Sequence, residues 1–352
     1  MSDTSSTPKR VLVIKLTSMG DLMHALPALT DAQNACPGIS FDWVVDEAFS
    51  EVPSWHPSVK NIYKSAHRRW KKHFLSSLAS GEFSGFYKTI NKNRYDLIID
   101  AQNNVKSSVI SFLRKGNIHG MDKDSVAEQP AYLAYKYRYF IDKRQHAIQR
   151  QRQLFADVIG YDLPAGKPEY GMRENIFQHE NSELDKPFIF LVHNASWTTK
   201  LWPEQHWDAL IKSASQEGYN VVLPGGSHEE LKRANEFASR HDNAIALPRM
   251  SLSELGGVIR KASGAVCCDT GLAHLTAIIG TPAITLYGPT SVELIGTTGD
   301  NQEQLGAGLP QFSCAPCYKR SCNFSGRAES MSACMNAFNP DMVWKKLQSM
   351  MH

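Results

Sequence analysis

Short apolar runs alternate with amphipathic stretches from Arg10 to about Gly160, give way to a polar stretch rich in Pro and Gly, and begin again near Phe188. Strand–helix–strand units in series build parallel sheets covered by helices on both faces, so this alternation limits the folds open to the chain more than any single motif does. In the first half, residues 11–16, 41–45 and 95–100 read as strands, and 22–35, 105–113 and 131–159 have helical spacing. In the second half, strands are expected at 188–192, 221–223, 244–247, 265–268 and 283–286, with Pro203 in the first turn of one helix and a capping box at Ser251 and Glu254 opening another. The expected fold class is α/β, with two Rossmann-like domains whose parallel sheets face a central cleft, where open sheets of this kind bind ligands. The expected boundaries are a disordered tail over 1–9, a domain over 10–165, a linker over 166–186, a second domain over 187–338 and a C-terminal helix over 339–352.

A length of 352 residues suits two domains, and 42% hydrophobic with 21% charged residues describes an ordinary globular chain. No apolar run is long enough to cross a bilayer, and the polar first ten residues lack a signal core, so a cytoplasmic protein is expected. The net charge of +3 is too mild to indicate a nucleic-acid partner. Seven Cys without an export signal imply reduced thiols, for which metal binding is the first alternative.

The chemistry concentrates in Asp269-Thr270-Gly271-Leu272-Ala273-His274, which follows a strand and opens a helix. That arrangement aims free N–H groups and the positive end of a helix dipole at an anion, and His274, one turn on, can face the same anion. Upstream, the strand ending at Val192 leads into His193-Asn194-Ala195-Ser196-Trp197-Thr198-Thr199-Lys200, whose hydroxyls and ammonium suit phosphate oxygens. Ser227 and Glu230 form a second capping box, which leaves Glu229 to accept from a ribose diol, while Met250 can pack on a base. A carboxylate at Asp269 would repel a diphosphate, so it is assigned to sugar hydroxyls, and the N–H groups near Thr270 and Gly271 to phosphate. In the first half, the turn Thr17-Ser18-Met19-Gly20-Asp21 has one Gly where a dinucleotide fingerprint needs three. It offers Asp21 as a helix cap or as a general base facing the cleft.

Two further clusters stand apart. His67-Arg68-Arg69-Trp70-Lys71-Lys72-His73 is a basic run with an embedded aromatic, suited to phosphates, carboxylates or an anionic membrane surface. Cys314, Cys317, Cys322 and Cys334 fall within a short span, the first two at structural-metal spacing, and form a candidate structural zinc or iron site.

Together these motifs resemble a known family. Lys15 to Asp21 with His24-Ala25-Leu26-Pro27-Ala28-Leu29 is similar to the opening of the lipopolysaccharide heptosyltransferases of glycosyltransferase family 9. Phe41-Asp42-Trp43-Val44-Val45-Asp46-Glu47 and Ile98-Ile99-Asp100-Ala101-Gln102 resemble its heptosyltransferase I branch, and Lys200-Leu201-Trp202-Pro203, His228-Glu229-Glu230 and Asp269 to His274 match the donor half. The resemblance implies a GT-B fold and an inverting transfer, with no cofactor required, from ADP-heptose to the Kdo of lipid A at the cytoplasmic face of the inner membrane. It implies Asp21 as catalytic base. Ser196, Lys200, Glu229, Met250, Asp269, Thr270, Gly271 and His274 would bind the donor, and Arg68, Arg69 and Gln102 the acceptor. It also implies a C-terminal helix crossing back to the first domain.

Three features depart from the family pattern: Asn103-Asn104 in place of Gly-Leu, Glu128-Gln129-Pro130 where an Arg is usual, and the Cys-rich tail. The first two bear on the acceptor. Alternatives are a family 9 enzyme with another acceptor, such as a second core heptose, a phosphorylated Kdo or a protein hydroxyl, or a non-catalytic nucleotide-sugar-binding module.

Overall fold

The computed structural model describes residues 9–73, 76–77, 80–114, 116–178, 184–306, 312–324 and 332–351. The chain divides into two compact units, Met1–Glu174 and Asn175–His352. The division falls inside the stretch read as a linker; of the expected tail, only Lys9 is among the described residues.

The first unit carries β1 (Arg10–Ile14), β2 (Ser40–Asp46), β3 (Val59–Ser65), β4 (Leu97–Asp100), β5 (Ile118–Met121) and β6 (Tyr137–Tyr139) in the order β3-β2-β1-β4-β5-β6. Every pairing is parallel. The second unit carries β7 (Phe188–Val192), β8 (Asn220–Leu223), β9 (Ala244–Ala246), β10 (Gly264–Cys268), β11 (Ala283–Tyr287) and β12 (Gln302–Gly306) in the order β12-β11-β10-β7-β8-β9, again all parallel. Read from the β9 edge, the second order repeats the first. Each sheet reverses its winding once, between β1 and β4 and between β7 and β10, and such a switch point leaves room for a ligand beyond the strand ends. The central strands β1, β7, β10 and β11 are buried almost throughout, which explains why they read as continuous apolar runs.

Two local expectations are corrected. The helix expected over 131–159 is a 3-10 segment Gln129–Ala134, the strand β6 and a helix Ala147–Ile159, because 137–139 pairs with β5 at the sheet edge. The helix expected over 22–35 divides into Met19–Met23 and Leu26–Ala35, the second with Pro27 in its first turn, where a missing N–H costs nothing. The terminal helix Pro340–Met350 packs on the helix Glu204–Gln216 and on β10 and β11. Val343, Trp344 and Leu347 enter the core with Trp202, Trp207 and Ile211, and the Trp202 indole donates to the Phe338 carbonyl at 3.1 Å. This helix, read as a candidate to return to the first domain, contributes to the second unit's own core.

Candidate active site

At the first switch point, Asp21 sits in the helix Met19–Met23, and its Oδ2 accepts from both the backbone N–H and the hydroxyl of Ser18 at 2.8 Å. The capping role open to Asp21 is thus realised, and it fixes the direction of a half-buried carboxylate. Lys15 is fully buried just upstream and donates from Nζ to the Ala101 carbonyl at 2.9 Å. Burial pulls its ammonium down to about 8, against the opposing pull of Asp21 and Asp100. Gln102, expected to meet the acceptor, uses its side-chain oxygen to accept from Leu16 and Thr17 N–H, both at 2.9 Å. The loop after β4 thereby holds the loop after β1. Burial raises the Asp100 carboxyl, although Gln102 and Asn103 N–H, Ser111 and Tyr135 all donate to it. Asn103 has φ 56°, a left-handed conformation that Gly and Asn both tolerate, which accounts for the departure from the family's Gly.

The basic run forms the helix His67–Lys72. Its Trp70 is core, packed edge-on against Phe83 and Phe86. Arg69 is already engaged by Glu47 and Glu82 at 3.1 and 2.7 Å, whereas Arg68 lies 3.5 Å from Asp46, stacks on Phe49 and keeps 58% of its side chain exposed. Arg68 is the better placed of the two for an incoming anion.

At the second switch point, Thr270 is the N-cap residue of the helix Gly271–Ile279, yet its hydroxyl makes no capping bond and is buried without a hydrogen-bond partner. A plain cap does not describe that geometry: no side chain caps the first turn, and of its N–H groups Ala273 donates to the Thr270 carbonyl at 3.1 Å. Lys200 Nζ donates to Asp269 Oδ2 at 2.6 Å, and Thr290 Oγ1 donates to the same oxygen at 2.6 Å. Asp269 therefore enters the site with its charge countered, which removes much of the repulsion it would exert on a diphosphate. Ser227 and Glu230 form the expected capping box, and among the described residues the exposed Glu229 beside them makes no hydrogen bond or ion pair. Ser196 is exposed, Met250 half-buried, Gly271 opens the helix and His274 is buried on it.

Sequence reasoning missed Thr290, Lys15 and the Cys-rich segment's grip on the donor loop. Thr198 and Thr199 hydroxyls donate to the Arg320 and Lys319 carbonyls, Ser332 donates to the Thr199 carbonyl at 2.6 Å, and Arg320 and Lys200 both lie over the Trp197 ring. Thr290 could have been found from topology, because the loop after β11 must end beside the loop after β10. Cys314, Cys317, Cys322 and Cys334 line one cavity of about 20 Å³ with Thr199, Pro289 and Phe312. Burial pushes the Cys334 thiol up, and Cys322 and Cys317 are near enough to add to it. Among the described residues, no group of three or more His, Cys, Asp or Glu is arranged to hold a metal ion.

Two parallel six-stranded sheets of one topology are the architecture of glycosyltransferases of the GT-B class. The solved E. coli heptosyltransferase WaaC with ADP superposes with a TM-score of 0.83 at 35% identity, covering 97% of this chain and 99% of that one. The same enzyme with ADP-2-deoxy-2-fluoro heptose gives 0.76 at 39% identity, covering 84% and 93%. Lipopolysaccharide heptosyltransferase 1 of Pseudomonas aeruginosa is 38% identical over 97% of this chain and 98% of its own length, and that of Salmonella typhimurium 43% over 83% and 92%. The pattern of glycosyltransferase family 9 (heptosyltransferase) matches residues 84–327, and the chain belongs to that family.

Proposed function

We propose that this enzyme moves L-glycero-D-manno-heptose from ADP-heptose to the Kdo region of a lipid A-type acceptor, with inversion, in building the lipopolysaccharide inner core. What carries the proposal is the similarity over most of the chain to lipopolysaccharide heptosyltransferase 1 at 38–43% identity. The retained acid at Asp21 also disfavours a mere binding module, which needs no base.

In the proposed reaction, an acceptor oxygen bonds to the anomeric carbon as the bond from that carbon to the diphosphate breaks. The acceptor's proton passes to Asp21, and ADP leaves with the bonding electrons. With Oδ2 held by Ser18, Oδ1 is the oxygen assigned to the proton. Charge growing on the diphosphate is assigned to Lys200 and to the first-turn N–H groups at Thr270 and Gly271, with His274 beside them. Ser196, Glu229, Met250 and Asp269 complete the donor set, with Glu229 and Asp269 on sugar hydroxyls. Arg68, Arg69 and the Gln102 amide are assigned to the acceptor's phosphates and carboxylates. A lipid-linked acceptor would hold the enzyme at the anionic cytoplasmic face of the inner membrane; among the described residues no helix is long and apolar enough to cross it.

The four C-terminal cysteines are proposed to take a structural zinc or iron on the strength of their spacing and shared cavity; among the described residues they are not arranged as a metal site, so binding would have to draw the thiols together. Metal analysis of the purified protein tests this, and four free thiols with less than stoichiometric metal would end it. The function itself is tested by incubating ADP-heptose with Kdo2-lipid A and scoring both heptosylated lipid and released ADP. Folded protein that yields neither, or that works only with another defined acceptor, would overturn the donor or the acceptor assignment respectively.

A further inference from the structure

The first unit leaves large apolar side chains outside in one region. Val105, Val109, Phe112, Leu133, Tyr137 and Phe140 are all exposed, Phe112 to 84%, Leu133 to 68% and Phe140 to 65%. Positions 105, 109 and 112 share one face of the helix Val105–Leu113, while its buried residues Ser107, Ile110 and Ser111 lie on another. A surface helix ordinarily turns its apolar stripe inward, so this one is mounted in reverse. The helix packs against the 3-10 segment that carries Leu133, and the chain continues into the edge strand β6 with Tyr137 and then to Phe140. Exposed cations interleave with these residues: Lys106 follows Val105, Lys136 and Arg138 flank Tyr137, and Lys143 follows Phe140. Of the acids in the same stretch, Asp142 is paired with Arg144, Glu128 accepts from the Val105 N–H, and Asp124 is exposed, so the cations outnumber the unpaired carboxylates. Lys106 is also near enough to His67 to disfavour its protonation, so the apolar stripe begins beside the basic helix assigned to the acceptor.

We propose that this surface is where the enzyme docks on an anionic lipid bilayer, its apolar side chains entering the acyl boundary while Lys106, Lys136, Arg138 and Lys143 meet headgroup phosphates. Apolar area and electrostatic attraction act together in such binding, and an exposed patch of this size rimmed by charge marks an interaction surface. A second copy of the chain fits less well, because a two-fold contact through this patch would bring the lysines against one another. The proposal builds on the lipid-linked acceptor proposed above, and it can fail separately from it.

The test is cosedimentation of the full chain with vesicles of phosphatidylglycerol and phosphatidylcholine, against vesicles of phosphatidylcholine alone. The second protein is the variant carrying Phe112→Ser, Leu133→Ser and Phe140→Ser, all at exposed positions outside the assigned site. We expect the native chain to prefer the anionic vesicles, to lose that preference as salt rises, and to bind about tenfold more tightly than the variant. Activity of the variant on detergent-dispersed Kdo2-lipid A should stay within about twofold of native, since detergent removes the need for a bilayer. No binding by the native chain, or equal binding by the variant, overturns the docking surface whatever the transferase assay shows. Vesicle binding that is lost in the variant, from a native chain inactive on every heptose acceptor, keeps the surface and removes the function. A native dimer in sedimentation velocity that the triple variant abolishes, with vesicle binding unchanged, assigns the patch to a second copy and overturns the proposal.

Discussion

The two switch points stand at the same place in the same topology, yet they are wired differently. After β1 and β4, the two loops are joined without a salt bridge among the described residues: the Gln102 oxygen takes two backbone N–H groups, and the buried Lys15 ammonium donates to a backbone carbonyl. After β7 and β10, the loops are joined by a charge pair, Lys200 to Asp269, steadied by Thr290. That tie leaves Asp21, among the described residues, without a salt bridge, although the Lys15 ammonium is near enough to attract it. In the ionic tie the Lys200 ammonium holds one Asp269 carboxylate oxygen, reaches the Asp269 carbonyl at 3.4 Å and lies over the Trp197 ring. One scaffold has thus been given two electrostatic characters by a few loop residues, in line with function residing in sites rather than in folds.

The sharpest way to break this comparison is at Asp21. Asp21→Asn keeps the capping geometry approximately but cannot take a proton, and should lower kcat by at least about 100-fold while ADP-heptose still binds. Near-normal turnover would mean that the first switch point supplies only structure. Asp21→Ala should do the same and in addition lower the melting temperature, because it also removes the cap.

A smaller effect separates the units by pH. Each buries a histidine whose ring is held well below its ordinary range, His56 to about 4 by burial and the nearby Arg173, His193 to about 4 chiefly by burial. His56 lies between the Thr30 hydroxyl at 3.1 Å and the Ser58 hydroxyl at 2.6 Å, far from the loop ends, whereas His193 directly follows β7 and hydrogen-bonds to Asn194. Between pH 6.5 and 4 the unfolded chain binds more protons at these sites than the folded one. Stability therefore falls as pH drops through that window and levels off below it. Each ring should contribute on the order of 2 kcal/mol to the loss between pH 7 and 5. Urea unfolding at the two pH values should show His56→Gln less stable at pH 7 but with a shallower loss; an unchanged pH slope would contradict a buried neutral ring.

The charge-pair half of the comparison was partly legible in the sequence. Asp269, Thr270 and Lys200 stand in short motifs at strand ends, where residue type and position carry the chemistry, and the boxes at Ser227 and Ser251 formed as the spacing indicated. Thr290 was missed because its partner lies 21 residues away, and only the pairing of β10 with β11 brings the two together. The same limit hid the role of Gln102: a motif shows that a glutamine follows a strand, but not that its oxygen is spent on the neighbouring loop. In the fold, the buried central strands β1, β2, β4, β7, β8, β10 and β11 were read correctly, while the interior strand β5, buried at all four positions, was missed. The edge strands β3, β6 and β12 were missed because exposure on one or both faces mixes polar residues into the run, and at β6 the aromatic spacing imitated a helix.

The smallest predicted effects test whether the ionic tie is a unit. Lys200→Met should lower donor kcat/KM about tenfold, through both KM and kcat, because one cation is lost from the diphosphate and Asp269 is left buried with only Thr290. An unchanged donor kcat/KM would remove Lys200 from the site. Thr290→Val keeps the shape and removes one donor to the same carboxylate oxygen, and should cost about threefold in the same ratio with acceptor KM unmoved. The double variant decides between two pictures. If Thr290 acts by orienting Asp269 toward Lys200, the valine should cost almost nothing once the lysine is gone, and the two losses will not add. If the losses multiply, Thr290 meets the substrate on its own, and the second switch point is a set of separate contacts rather than a counterpart to the braced loop that holds Asp21.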